Sequence, residues 1–294
     1  MTSPNNSVPA TGIHPDTTIG TVKLTVSDVD QARSFYEGAL GLQTSELAGG
    51  ELALAAAGGR PLIELRGDSL APALDRRATG LYHLAILLPA RRDLAVALAR
   101  LARARWPLDG ASDHLVSEAL YLSDPDGNGI EIYRDRPREQ WPRAGDQLEM
   151  ATLPLDLRDL LAELDDDGDL QPLAPAGTRI GHVHLQVADL EDAEAFYSGL
   201  LGFDVTVRGY PGALFVSAGG YHHHIGLNTW HSRGSSSPLP GAVGLRSFEV
   251  ELPDHDSLAS VIERIRSAGV DAEATSEDAL VRDPSGNHIL LRAR

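Results

Sequence analysis

Apolar and polar positions alternate from Thr21 to Val26 (TVKLTV), the two-residue period of a half-buried strand. The period then changes. Ser27-Asp28 supplies a helix cap, and in VDQARSFYEGAL the residues Ala32, Phe35, Tyr36 and Leu40 fall near one face of a helix that Gly41 ends. Glu51 to Ala57 and Pro61 to Leu65 return to strand character, which gives one strand, one helix and a small group of strands. Tyr82 to Leu88 (YHLAILL) and the Ala-rich helix through Leu101 start a second unit. It closes with His114 to Tyr133 (HLVSEALYLSDPDGNGIEIY), two alternating runs around the turn Asp124-Pro125-Asp126-Gly127-Asn128.

Both units recur. VKLTVSDVDQARSFYEGALGL lies beneath VHLQVADLEDAEAFYSGLLGF, which ends at Phe203. YHLAILL, its helix and the DPDGN turn are echoed by Ser247 to Leu252 (SFEVEL), the helix SLASVIERIRSAG and Asp283-Pro284-Ser285-Gly286-Asn287. The chain is an α+β protein of four βαβββ quarters, beginning near Ile19, Gly80, Ile180 and Gly244. The expected organisation is a mobile N-terminal tail at 1–17, a first domain at 18–136, a linker at 137–177 and a second domain at 178–294. Within the linker, Leu155 to Leu164 suits a short amphipathic helix. Asp165-Asp166-Asp167-Gly168-Asp169 reads as a solvated acidic turn, since it lacks the ligand order and closing Glu of an EF-hand.

Composition narrows the chemistry. With 294 residues and 42% hydrophobic side chains the chain can bury two cores. A net charge of −17 argues against nucleic acid and anionic membranes as partners. The absence of cysteine excludes disulfides, thiolate metal sites and cysteine nucleophiles, so any metal must be held by His and carboxylate. The opening MTSPNNSVPATG has no signal-peptide character and no apolar run reaches bilayer length, so the expected compartment is the cytoplasm.

Four quarters with a helix ending in A-x-x-FY-x-x-x-LG and a DP-x-GN-x-I-E strand resemble the vicinal oxygen chelate superfamily, over nearly all the chain except the tail and linker. That resemblance implies that paired quarters curl into incomplete barrels, or cups (the glyoxalase/dioxygenase fold), whose concave faces hold a metal or ligand.

Equivalent positions differ between quarters. The third quarter has His182 where the first has Thr21, and the second has His83 and Glu131 where the fourth has Ser247 and Leu290. An acid flanked by Ile130 and Ile132 is costly to bury without a cation. Taken singly, His83 reads as a core histidine, Glu131 as a surface acid and His182 as a turn residue. Together, two imidazoles and one carboxylate on one face suit a non-haem Fe(II) or Mn(II) centre with open positions for substrate and oxygen.

Within the superfamily the chain resembles the type I extradiol ring-cleaving dioxygenases. His114-Leu115-Val116-Ser117-Glu118-Ala119 with Tyr121 matches their H-x-V-S-x-A segment, and Tyr221-His222-His223-His224 resembles their paired-histidine strand. The resemblance implies Fe(II), with Mn(II) as the other candidate, held by His83, Glu131 and His182. It implies acid/base roles for His114, Tyr121 and His223, with a catechol and O2 as reactants. The rival ligand is His184, which shares a face with His182, and nothing in the sequence says which of His222, His223 and His224 faces the cup. Trp230 and Tyr221 are candidate pocket walls. The alternatives are a glyoxalase-like lyase or isomerase, which needs a fourth protein ligand, and a metal-free small-molecule-binding protein.

Sequential pairing of quarters would put His83 and Glu131 in one cup and His182 in another, too far apart to share an ion. The ligand set therefore requires quarters two and three to face each other, within one chain or by a swap between copies, and a homo-oligomer is expected.

Overall fold

The computed structural model describes residues 12–145, 147–164, 173–275 and 277–294. The first unit runs from the strand Thr18–Val26 through the helix Val29–Gly38 to the strands Gln43–Glu46, Leu52–Ala55 and Pro61–Gly67. The second has Gly80–Leu87, the helix Arg91–Ala104, then Gly110–Asp113, Ser117–Ser123 and Gly129–Asp135. In the third, Arg179–Gln186 leads to a helix that is α over Leu190–Glu194 and widens to π over Ala195–Leu200, followed by Asp204–Val207, Ala213–Ser217 and Ile225–Asn228. The fourth has Gly244–Leu252, the helix His255–Ser267, then Ala272–Ala274, Asp278–Arg282 and His288–Ala293. Asp28 caps its helix as the sequence suggests, accepting the Asp30 and Gln31 N–H groups; Asp189 does the same for the third helix, and Asp254 accepts the Ser257 N–H.

Units far apart in sequence share sheets. The first and fourth form one eight-stranded sheet, joined where Thr18–Val26 runs antiparallel to Gly244–Leu252. The second and third form a nine-stranded sheet, joined where Gly80–Leu87 runs antiparallel to Arg179–Gln186. This is the pairing the ligand set demands, achieved within one chain, and each sheet curls into a half-barrel. The ninth strand, Leu153–Pro154, comes from the expected linker and pairs with Gly110–Asp113.

The repeated sequence motifs lock units together in the other direction. Tyr36, from the first helix, donates its hydroxyl to Asp124 at 3.1 Å, and Tyr197, from the third, donates to Asp283 at 2.9 Å. Each aspartate also accepts the backbone N–H and side-chain amide of the Asn four residues on, at 2.8 and 2.9 Å. The FY and DP-x-GN motifs thus form one buried polar clasp, made twice, in which each aspartate accepts from a tyrosine and an asparagine. Around it pack Phe35, Leu94, Leu98, Val261, Ile262 and Ile265 from the helices against Val22, Leu84, Ile130 and Ile289 from the sheets. Each such side chain contributes about 1.5–3 kcal/mol by leaving water.

The tail and linker depart from expectation. Ile13 and Thr17, inside the segment expected to be mobile, are 8% and 1% exposed, and the Ile13 N–H bonds the Gly202 carbonyl at 2.7 Å. In the linker, Trp141, Leu148, Leu160 and Ala174 are buried, while the short helix Leu157–Leu161 falls where a helix is expected, within Leu155 to Leu164. Both segments carry isolated apolar residues that a periodicity test overlooks. The acidic turn Asp165 to Asp169 lies outside the described residues. Among the described residues, no helix is long and apolar enough to cross a membrane.

Candidate metal centre

The strand Gly129–Asp135 turns Ile130 and Ile132 into the core and Glu131 to the opposite face, yet Glu131 is only 3% exposed. The register of the nine-stranded sheet decides what it meets. His83 lies opposite His184 across the central strand pair, and Ala85, two residues on, runs beside both Glu131 and His182. The outcome is that Glu131 Oε2 stands 3.0 Å from Nε2 of His83 and 3.0 Å from Nε2 of His182. His182 is aligned for a hydrogen bond, whereas the buried His83 Nε2 has no aligned partner. Three convergent ligand atoms, one of them without a hydrogen-bond partner, fit a cation. Bonds of about 2.1 Å at right angles put neighbouring ligand atoms about 3.0 Å apart, which matches both separations. One ligand atom from each of these three residues lies within 4.8 Å of the others; among the described residues this His/Glu group gains no fourth member.

The electrostatics suit a metal. Burial, the largest single influence on Glu131, opposes its charge, but His182 and His83 more than offset it and hold the carboxyl well below its usual range. Burial pushes His182 down to about 4, so at neutral pH the ring is uncharged, and Nε2, which otherwise donates to Glu131, could offer a lone pair to a metal once its proton is on Nδ1. His184, the rival ligand, is also buried and pushed well down by burial and by His83 and His182. Its ring packs among His83, Tyr82 and Trp230, outside the three-donor group.

Beside the triad, Tyr121 is the cross-strand partner of Glu131. Its phenol is pushed well above its usual value by burial and by Glu131, and its oxygen is 2.6 Å from His114 Nε2. His114 Nδ1 faces the Ala151 carbonyl at 2.7 Å. A carbonyl only accepts, so in the neutral ring Nδ1–H donates and Nε2 accepts the Tyr121 hydroxyl proton.

The histidine run is not a strand, which corrects the strand that the resemblance implies there. Gly219 and Gly220 turn the backbone through φ of 59° and 67°, residues 221–224 form a bend, and the strand starts only at Ile225. All three imidazoles are buried, each differently. His223 lines the cavity, 4.1 Å from the His182 ring between centroids. His222 lies behind it, with Nε2 2.9 Å from Asp135 Oδ1 and Nδ1 2.8 Å from His223 Nδ1. The Asp135 carboxylate requires His222 Nε2 to donate, so His222 Nδ1 accepts from His223 Nδ1–H, which leaves the His223 Nε2 lone pair free for the cavity. His224 accepts the Ala218 N–H at 3.1 Å and is pushed by burial down to about 3. Tyr221 is not a pocket wall: its hydroxyl donates to Asp135 at 2.9 Å and meets the Tyr133 hydroxyl at 2.7 Å. Trp230 does line the cavity, and so do Tyr82, Tyr210 and Phe215, which carry no sequence signal beyond being aromatic.

Glycines make room for this cluster. A Cβ on Gly181 would sit 1.8 Å from the Tyr133 hydroxyl and 3.1 Å from Leu87 Cβ. Gly181→Ala is therefore expected to destabilise the protein by about 1–3 kcal/mol in denaturant unfolding, and an unchanged midpoint would show that Tyr133 moves freely.

The other sheet lacks the donors. Thr21, Ser247 and Leu290 stand at the triad positions. Lys23, at the position of His184, pairs with Glu64 at 2.8 Å, and the buried Glu249 pairs with Arg292 at 3.3 Å. The triad side opens into a cavity of about 1310 Å³ that residues of both sheets line.

A family model described as Glyoxalase/Bleomycin resistance protein/Dioxygenase superfamily matches residues 18–132 and 179–291. The chain is 46% identical over 284 residues to the protein named Catechol-2,3-dioxygenase of Bacillus subtilis (strain 168), covering 95% of this chain and 98% of that one. A crystal structure from Bacillus subtilis subsp. subtilis str. 168 matches with a TM-score of 0.65 at 15% identity, over 97% of this chain and 86% of that chain. Glyoxalase I from Zea mays matches with a TM-score of 0.56 at 14% identity, over 94% of this chain and 92% of that chain, a likeness of fold. Four repeated units, two half-barrels and a match over both halves lead to one conclusion: the chain belongs to the glyoxalase/bleomycin resistance protein/dioxygenase superfamily.

Proposed function

We propose that the protein is an Fe(II)-dependent extradiol dioxygenase that opens a catechol ring beside the diol and inserts both atoms of O2. The observation that carries this reading is the convergence of Glu131 Oε2 with Nε2 of His83 and His182 at 3.0 Å. The 46% identity to a relative named for the same reaction supports it. Iron held by these three residues would supply Lewis acidity and a place for oxygen, with room for substrate beside it.

The chain's own groups then manage protons. His223 Nε2, held as a lone pair by the His222–Asp135 relay, is set to take one proton from the catechol. Once charged, its Nε2–H can stabilise negative charge that develops on oxygen. Tyr121 and His114 form the second proton path, with the phenol kept protonated and its hydrogen directed at His114 Nε2. Ring opening places both oxygen atoms in the product, so the reaction balances without an external reductant. A lyase of the same superfamily needs a fourth protein ligand, and the three-member donor group argues against it.

The test is metal analysis followed by oxygen uptake. Anaerobically iron-loaded protein should bind about one ion per chain at the three-residue site and convert catechol into a yellow semialdehyde while consuming oxygen. If no simple catechol is turned over, the dioxygenase reading fails and the metal site stands.

A further inference from the structure

We infer that the part of the cavity lined by residues of the first and fourth units is an anion subsite, and that the substrate is a catechol whose substituent carries a carboxylate. This rests on the ring-cleavage reading of the triad. The cavity, about 1310 Å³, is larger than the roughly 300–1,000 Å³ of ordinary ligand sites, and one catechol ring leaves most of it unfilled. Its lining crosses from one sheet to the other. Ser247 and Leu280 of the second cup face the same space as His83 and Tyr121.

The charge of that lining runs against the whole protein. The chain has 25 Lys and Arg against 42 Asp and Glu, yet the cavity is lined by Arg66, Arg76, Arg77, Arg246 and Arg282 against Asp75, Asp109 and Glu131, the last a proposed metal ligand. These guanidiniums are under-neutralised. Glu51 serves two of them, accepting from Arg66 at 2.7 Å and from Arg246 at 3.1 Å.

Arg282 is oriented by an imidazole. Its Nε and Nη2 lie 3.0 and 2.7 Å from His288 Nε2, while His288 Nδ1 faces the Arg246 carbonyl at 3.3 Å. A histidine whose Nδ1 donates to a carbonyl offers Nε2 as an acceptor, which fixes the guanidinium without cancelling its charge. Arg246 and Arg282 both line the cavity, and a guanidinium's five N–H groups leave each with donors beyond these bonds for a carboxylate oxygen. Leu74, Pro238, Leu239 and Val243 supply apolar lining that would cover an alkyl stem.

Oxygen uptake should be compared for hexylcatechol and dihydroxyphenylhexanoate, matched in length and differing in the terminal carboxylate. Calorimetry should follow binding of phenylhexanoate, which lacks the diol. The wild type is expected to favour the carboxylate substrate in kcat/KM by roughly 10-fold or more, and the double variant Arg246→Gln/Arg282→Gln should lose that preference. Arg246→Lys/Arg282→Lys, which keeps the charge, should retain part of it. Equal use of the two substrates by the wild type, or a preference that survives the Gln variant, overturns the subsite and leaves ring cleavage standing. Phenylhexanoate binding that disappears in the Gln variant, with no catechol cleaved, upholds the arginine subsite and removes the ring-cleavage reading.

Discussion

Glu131→Gln is expected to lower metal affinity by at least about 100-fold and to abolish most activity while the fold persists. Loss of a hydrogen-bond partner behind a metal ligand already costs about 10–100-fold, and here the negative charge of the ligand itself is removed. The side chain keeps its shape, and the amide carries no charge to be stranded in a 3% exposed position, so thermal unfolding of the metal-free protein should change little. Leu290→Glu is the control, because it places a carboxylate at the equivalent position of the other sheet. Its neighbours there are Thr21 and Ser247 instead of imidazoles, and its register partner is the buried Glu249. It should create no second metal site and should destabilise the protein through like-charge contact. Metal content by elemental analysis decides the matter: full occupancy in Glu131→Gln means that another residue supplies the carboxylate.

Metal-free protein should lose a large part of its stability between pH 7.5 and 5. Burial holds His182 at about 4 and His224 at about 3, below the ordinary imidazole value of about 6.5. The unfolded chain therefore takes up protons in this range that the folded protein refuses. The stabilisation is complete above about pH 6.5 and drains away as pH falls toward the folded values. At 1.36 kcal/mol per unit, each of these two imidazoles contributes about 2 kcal/mol of loss by pH 5, so the pair contributes about 4 kcal/mol. His184 and His223 are shifted in the same direction by burial. Asp124 and Asp283, whose carboxyls burial raises, trim the loss. Against a total stability of about 5–15 kcal/mol, the shift should appear as a fall in Tm on the order of 10 °C. A melting temperature that stays level from pH 7.5 to 5 would mean that these imidazoles are solvated in the folded protein.

What the sequence determined by itself is whatever repeats or has a local period. The strand–helix–strands order, the Asp28 cap and the opposite faces of Ile130 and Glu131 follow from spacing within a few residues. The comparison of quarters isolates His83, Glu131 and His182, because two imidazoles and a carboxylate stand where the sister positions hold Thr21, Ser247 and Leu290. It also implies that the second and third quarters must meet, since three ligands cannot share an ion across two cups.

Tertiary structure decided the rest, because those choices depend on neighbours that no local period encodes. The antiparallel joining of Gly80–Leu87 to Arg179–Gln186 within one chain, in place of a swap, is a choice of sheet partner between segments about a hundred residues apart. The bend at Gly219 and Gly220 sends His223 to the cavity and His222 to Asp135, where strand alternation has no bearing. Tyr36 finds Asp124 at a sequence separation of 88. The arginines of the cavity are scattered singly from Arg66 to Arg282 in an acidic chain, and only the facing of the two half-barrels collects their charge in one place.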